Sequence, residues 1–306
     1  VLPFVLASIA CALTWALASV VFARALRGAR GGTPAALNLV KCVLAFPPLV
    51  ALGLAQGEGW PTTAGHGPAL FASATLGLAV SDTAYFVALA HLGVARGVLF
   101  IPLVPVVTAV LAALFLGDPF GATEVIGMAL VLGGIVLVIV RADERTAAAA
   151  LAAGDTAVPA RHRLVGVLAG IGSALAQGVS NTLMKTAVVA GSATHVAALR
   201  IGFGAIALVF FVAASGGMRT VVPFLRSGIF LPIFFASFLG TFLGMWLGTY
   251  GAKGLPIGIA TTLAATTPVW ALVLARVTGE RVTRRAIAGA LVAIAGVVML
   301  ASATMR

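Results

Sequence analysis

The sequence predicts an all-α integral membrane protein, with ten transmembrane helices arranged as two inverted five-helix repeats. Three observations carry this. Of the 306 residues, 61% are hydrophobic and 9% charged, with a mean hydropathy of +1.15, whereas a soluble domain is nearer a quarter charged. The apolar residues fall into runs of about 20, the length a helix needs to cross the roughly 30 Å hydrocarbon core. Finally, the second half of the chain echoes the first at a shift of about 162 residues.

The first run, 2–26, has no basic stretch before it and outlasts the apolar core of a signal peptide, so it reads as a retained helix. Runs at 33–55, 68–90, 97–116 and 121–140 complete a first repeat over 1–140. Residues 141–163, RADERTAAAALAAGDTAVPARHR, form a polar linker rich in alanine and charge. The second repeat, 164–306, holds runs at 164–185, 193–215, 228–250, 257–278 and 285–303. Cys11 and Cys42 lie inside apolar runs without metal-ligand spacing and read as small buried hydrophobes. The net charge of +11 sits mostly between the runs, which points to lipid headgroups and excludes a nucleic-acid reading.

The repeat is visible in particular residues. VLASIACAL at Val5 matches VLAGIGSAL at Val167, and Gly127 and Gly134 fall opposite Gly289 and Gly296. LGDPF after the fourth run answers TGERV, with Gly279 and Glu280, after the ninth. Several matches at nearly one offset indicate duplication. Because five is odd, the second half must enter the membrane from the opposite side, the arrangement of secondary transporters with a midplane site.

These residues resemble the EamA repeat of the drug/metabolite transporter superfamily. The resemblance rests on P-x(11)-G-[DE] from Pro105 to Asp118, its counterpart from Pro268 to Glu280 with one residue fewer, and SDTAYFVALAHLG in the third run. It covers nearly the whole chain. It implies a ten-helix, basket-like transporter that moves small metabolites, often outward; alternating access around a midplane cavity, with no cofactor and no enzymatic activity, is the accompanying expectation. Arginine outnumbers lysine sixteen to three, which resembles a GC-rich bacterial genome and suggests a bacterial inner membrane.

Asp82 stands about two-thirds along its run, with Thr75 seven residues before and Tyr85 three after on one face. An intramembrane carboxylate marks a polar pathway, a proton site or a paired charge; it reads either as a substrate or coupling group, or as a structural acid hydrogen-bonded to a neighbour. Ser173, Gln177, Asn181 and Lys185 recur every four residues in the sixth run, and Cys11, Trp15 and Ser19 do so in the first. The expectation is that Trp15, Ser19, Gln177 and Asn181 line a central cavity; interhelical hydrogen bonding is the alternative. Lys41 and Arg200 occupy similar places in the second and seventh runs. They read as attracting an anion, pairing with Asp82, or snorkelling to headgroups.

Pro102, Pro105 and Pro268 remove helical hydrogen bonds and free nearby carbonyls. They are candidate gates, or static kinks, with Thr266 and Thr267 near the site. Gly240, Gly244 and Gly248 form a ridge for close packing inside the protein, with homodimerisation as a lesser reading. His91 and His195 read as interfacial, without metal-ligand spacing.

Loops after odd-numbered runs carry Arg24, Arg27, Arg30, Arg96, Arg141, Arg145, Arg161, Arg163, Arg219, Arg226, Arg276, Arg281, Arg284 and Arg285, against Lys185, Lys253 and Arg306 on the other side. The positive-inside rule puts both termini outside, while the resemblance implies termini in the cytoplasm. The leading functional reading is a secondary transporter exporting small metabolites or amino-acid-like solutes. An obligatory exchanger of phosphorylated sugars or nucleotide sugars is the alternative; it needs Lys41 and Arg200 to converge, against their inverted placement. An intramembrane lipid-modifying enzyme lacks the necessary cluster of acids or histidines. GxxxxGK[ST] does not occur, which argues against direct ATP drive.

Overall fold

The computed structural model describes residues 1–62, 65–92, 100–118, 121–152, 160–277 and 284–304. Arg96, Gly279, Glu280, Arg281, Arg306 and the 153–159 part of the linker lie outside the described residues. With this much apolar surface, backbone polar groups must be satisfied within the chain, and helices do that locally. Among the described residues the regular structure is helical throughout.

We number the helices α1 (Leu2–Gly28), α2 (Pro34–Ala55), α3 (Gly67–Leu92), α4 (Leu103–Phe115), α5 (Ala122–Ala152), α6 (Ala160–Ala190), α7 (Ala193–Ser215), α8 (Gly228–Gly254), α9 (segments Ile257–Ala264 and Thr267–Val277) and α10 (Arg284–Thr304). A short 3₁₀ stretch, Met218–Leu225, precedes α8. Seven of them, α1, α2, α3, α6, α7, α8 and α9, are long and apolar enough to cross a membrane by length and composition. The apolar parts of the other three are shorter: Leu103–Phe115, Ala122–Leu137 and Ile287–Ser302. The ten expected spans therefore resolve, among the described residues, into seven helices long and apolar enough to cross and three whose apolar stretches are shorter. The protein is an integral membrane protein.

Local chemistry explains the ends. Thr33 and Ser192 cap α2 and α7 by accepting from Ala36 N at 3.2 Å and Thr194 N at 3.1 Å, the usual service of a hydroxyl at an orphan helix terminus. Gly217, at φ 76, turns the chain after α7, a conformation glycine adopts without steric penalty. The linker differs from expectation: α5 stays helical through Ala152 and α6 starts at Ala160. Alanine's high helix propensity carries the helix beyond the apolar run.

The halves are interleaved. α2 packs on α7 and α5 on α10, while α1 runs along α8 and α9 as α6 runs along α3 and α4. Contacts between halves thus recur with the halves exchanged. The Gly240, Gly244, Gly248 ridge meets α1 at Ala18, Trp15 and Cys11, which is internal packing. Gly134 faces the Gly289 carbonyl and Gly296 the Gly127 carbonyl where α5 crosses α10, so the matched glycines meet each other at the crossing.

Candidate functional site

Two helices widen in the same place. α3 contains a π-helical turn at Thr75–Ser81 and α8 one at Ser237–Leu243, 162 residues apart at both ends. π turns commonly mark functional sites, because the extra residue leaves carbonyls without their usual i+4 donor. Leu78 and Gly240, the equivalent fourth residues, each present such a carbonyl to a side-chain donor. Asn38 Nδ2 donates to Leu78 O, and Trp15 Nε1 donates to Gly240 O at 2.9 Å.

Asp82 follows directly on the first π turn, its N–H donating to Gly77 O. Its Oδ2 accepts from Lys41 Nζ at 2.5 Å, with the two side chains 29% and 10% exposed respectively. Lys41 also lies over the Phe86 ring at 5.4 Å. Asn38, one turn before Lys41 on α2, donates to Thr83 Oγ1 at 3.3 Å. The α2–α3 contact is therefore a polar clamp in the middle of two apolar helices. Tyr85, one turn beyond Asp82, is partly buried beside the Phe86 ring, 6.3 Å away between centroids.

Arg200 approaches from α7. It stands eight residues after its N-cap, Ser192, as Lys41 stands eight after Thr33. At 3% exposure it donates from Nη2 to Ser180 Oγ at 3.0 Å and from Nη1 to Met184 Sδ at 2.8 Å. Its Nε has no hydrogen-bond partner. A Cβ at Gly77 would overlap Ser180 Oγ and fall 3.2 Å from Arg200 Nη2, so glycine there makes room first for the Ser180 hydroxyl and then for the guanidinium that donates to it. The Gly77 carbonyl in turn accepts the Asp82 N–H, so Arg200 meets α3 at the turn that leads into Asp82. Both basic residues therefore meet α3 around its π turn, Lys41 at Asp82 and Arg200 at Gly77, although their helices run in from opposite ends.

The remaining expected residues are distributed around this centre. Gln177 Nε2 donates to Asn181 Oδ1 at 3.0 Å, and Asn181 Nδ2 reaches Thr108 Oγ1 at 3.4 Å, joining α6 to α4. Ser173 meets Ser81, whose Oγ donates to its carbonyl at 2.9 Å. Ser19 is exposed and donates to Ala16 O of its own helix at 2.9 Å. Thr266 and Thr267 are at the break in α9, where their hydroxyls donate to Leu263 O at 2.7 Å and Ala264 O at 3.0 Å. Pro268 falls in the first turn of the second α9 segment. Pro102 is the N-cap of α4 and Pro105 lies in its first turn. All three prolines sit where a missing N–H costs least.

Lys185 donates to Ala252 O and Leu255 O at 2.7 Å each, closing the end of α8. Asp118 Oδ2 accepts from Ile257 N at 2.9 Å, capping the start of α9. Together they bracket the α8–α9 joint with the charge that each helix terminus favours. Sequence reasoning missed Asn38, Ser180 and Thr108. Asn38 had a signal, its i, i+3 spacing to Lys41; Ser180 and Thr108 depend on which helices meet. His195 Nε2 is 3.6 Å from Glu58 Oε2, and the His91 and His162 rings lie 5.6 Å apart. Among the described residues, no three His, Cys, Asp or Glu side chains come together as a metal cluster.

The family model described as the EamA-like transporter family matches residues 2–140 and 164–302. No curated protein matches the chain. A solved structure described as "Crystal structure of protein" is similar across 98% of this chain and 96% of its own, at 16% identity with a TM-score of 0.72. At that identity the likeness speaks to the fold.

Proposed function

This chain belongs to the EamA-like transporter family, and we propose on that premise that it is a secondary transporter exporting a small solute by alternating access. Its ten helices would cross the membrane as two inverted repeats. Three end-to-end contacts support inversion: Phe4 with Tyr250, His91 with His162, and Ser192 Oγ with Glu58 Oε2 at 2.5 Å. If each helix from α1 to α3 crosses once, α1 and α6 begin on opposite faces.

The observation that carries the reading is the Lys41–Asp82 pair at the end of a π turn that Arg200 also reaches, at Gly77. Charges are costly in hydrocarbon and persist where they serve a pathway. Helices broken at membrane depth, as α9 is, accompany such pathways in transporters. Asp82 and Lys41 would contact the solute, Arg200 would orient it, and the α9 break with Thr266 and Thr267 would flex. Trp15, Gln177 and Asn181 position the α1–α8 and α4–α6 contacts around that centre. Amino-acid-like solutes and phosphorylated sugars are both compatible with this charge. The membrane is taken to be a bacterial inner membrane.

The test is solute uptake into proteoliposomes holding the purified full-length protein, compared with Lys41→Met. Uptake lost in the variant supports the reading. Uptake equal in the two would remove the charged centre from the mechanism.

A further inference from the structure

The charges of the central cluster do not balance. Lys41 and Arg200 bring two positive charges, Asp82 one negative, and Arg200 is 3% exposed. A guanidinium offers five N–H donors. Arg200 spends two on a hydroxyl and a thioether sulfur, the sulfur a weak acceptor, and its Nε is unpartnered. Among the described residues no carboxylate touches it: the Arg200 guanidinium meets α3 at Gly77, whose carbonyl accepts the Asp82 N–H, while the Asp82 carboxylate bonds Lys41. A buried cation left without an anion is strongly disfavoured, and a further cation entering beside it would deepen that cost.

We propose that the transported solute carries one oxyanionic group, a carboxylate or a phosphate ester, received between Arg200 and Lys41. Arg200 supplies the unpartnered donor, and Asp82 is the internal counter-ion that holds Lys41 while the site is empty. Asp82, 29% exposed along its side chain, is where the cluster reaches the accessible surface. An entering oxyanion competes with Asp82 for Lys41, which ties occupancy to the α2–α3 clamp. A solute whose sole charge is an ammonium is disfavoured by the two resident cations. This inference deepens the transporter reading and rests on it.

Binding is read from thermal unfolding of the purified full-length protein with potassium gluconate, glucose 6-phosphate, choline chloride or mannitol at matched ionic strength. Gluconate or glucose 6-phosphate is expected to raise the Tm, and which of the two does so separates carboxylate from phosphate recognition. Choline and mannitol should leave it unchanged. Arg200→Gln should weaken the oxyanion at least tenfold, with Arg200→Lys intermediate. Asp82→Asn removes the competing carboxylate and should tighten oxyanion binding several-fold, an outcome a structural role for Arg200 does not produce. This second variant decides if Arg200→Gln fails to fold. No stabilisation by either oxyanion, or stabilisation unchanged in Arg200→Gln and Asp82→Asn, overturns the inference. Proteoliposome uptake of the same solutes tests the transporter reading separately. Oxyanion binding without uptake would keep the site and sink that reading, while uptake of choline or mannitol alone would do the reverse.

Discussion

Gly133 and Gly134 are neighbours on α5 whose replacement by alanine should have opposite effects. Gly133 is exposed and a Cβ there meets nothing within 4 Å. Alanine at that position gains the helix propensity that glycine lacks, about 0.8–1.0 kcal/mol. At Gly134 the added Cβ would fall 2.5 Å from both Ala293 N and Gly289 O, backbone atoms of α10. Restoring an ordinary 3.4 Å contact requires the two helices to part by roughly 0.9 Å, and backbone cannot rotate aside as a side chain can. Overpacking of this kind costs about 1–3 kcal/mol; the upper part of that range, less the propensity gain, leaves Gly134→Ala destabilised by about 1–2 kcal/mol. The neighbours should therefore differ by roughly 2–3 kcal/mol, which is about 3–5 °C in Tm at this chain length. The assay is a thermal ramp of each purified variant in one detergent, followed by tryptophan fluorescence and checked by monodispersity after partial heating. Equal midpoints for Gly133→Ala and Gly134→Ala would refute the account of the α5–α10 crossing.

Lys41→Met leaves Asp82 without its partner; because Asp82 is partly accessible, the loss should fall at or below the low end of the buried-pair range, about 2–3 kcal/mol. Lys41→Met combined with Asp82→Asn should recover much of it in the same thermal assay, and no recovery would count against the pair as the cause. Asp118→Ala should cost about 1 kcal/mol as a lost N-cap, and Lys185→Met about 2–3 kcal/mol through two charge-assisted bonds. Hydrogen exchange at amides 252–258 should quicken in both; unchanged exchange would separate these residues from the α8–α9 joint. Arg24, Arg30, Arg161, Arg163, Arg219, Arg226, Arg284 and Arg285 are exposed and lie near the ends of odd-numbered helices or the starts of the next, and the positive-inside rule predicts that this face is cytoplasmic. A cysteine in the 141–163 linker should then resist an impermeant thiol reagent in intact cells and react after permeabilisation; labelling in intact cells would reverse the orientation.

Composition and run length were enough to read an all-helical membrane protein, because hydrocarbon leaves the backbone few alternatives to the helix. The offset of about 162 residues was equally legible, since duplicated helices keep their small residues where close packing needs them. Gly127, Gly134, Gly289 and Gly296 matched along the chain and proved to meet at one crossing. Asp82 and Lys41 stood out as isolated charges in apolar runs, a signal that survives without any structure.

The pairing of those charges lay beyond the sequence. Equivalent interfaces use different chemistry: α3 and α6 join through Ser73 with Ser180 and Ser81 with Ser173, whereas α1 and α8 join through glycines against Ala18 and Cys11. Ser180 becomes an acceptor for Arg200 because α6 and α7 meet α3 at its π turn, and a π turn leaves no mark in hydrophobic periodicity. Inverted placement suggested that Lys41 and Arg200 should stay apart. Interleaving of the halves sets α2 and α7 against each other and beside α3, so Lys41 meets α3 at Asp82 and Arg200 meets it at Gly77. The sequence by itself determined the membrane, the helices, the repeat and which residues carry charge, since these follow from local composition and period. The tertiary structure decided which charge answers which and where a helix loosens to admit them, because those depend on contacts between residues far apart in the chain, as Trp15 and Gly240 are at 225 positions.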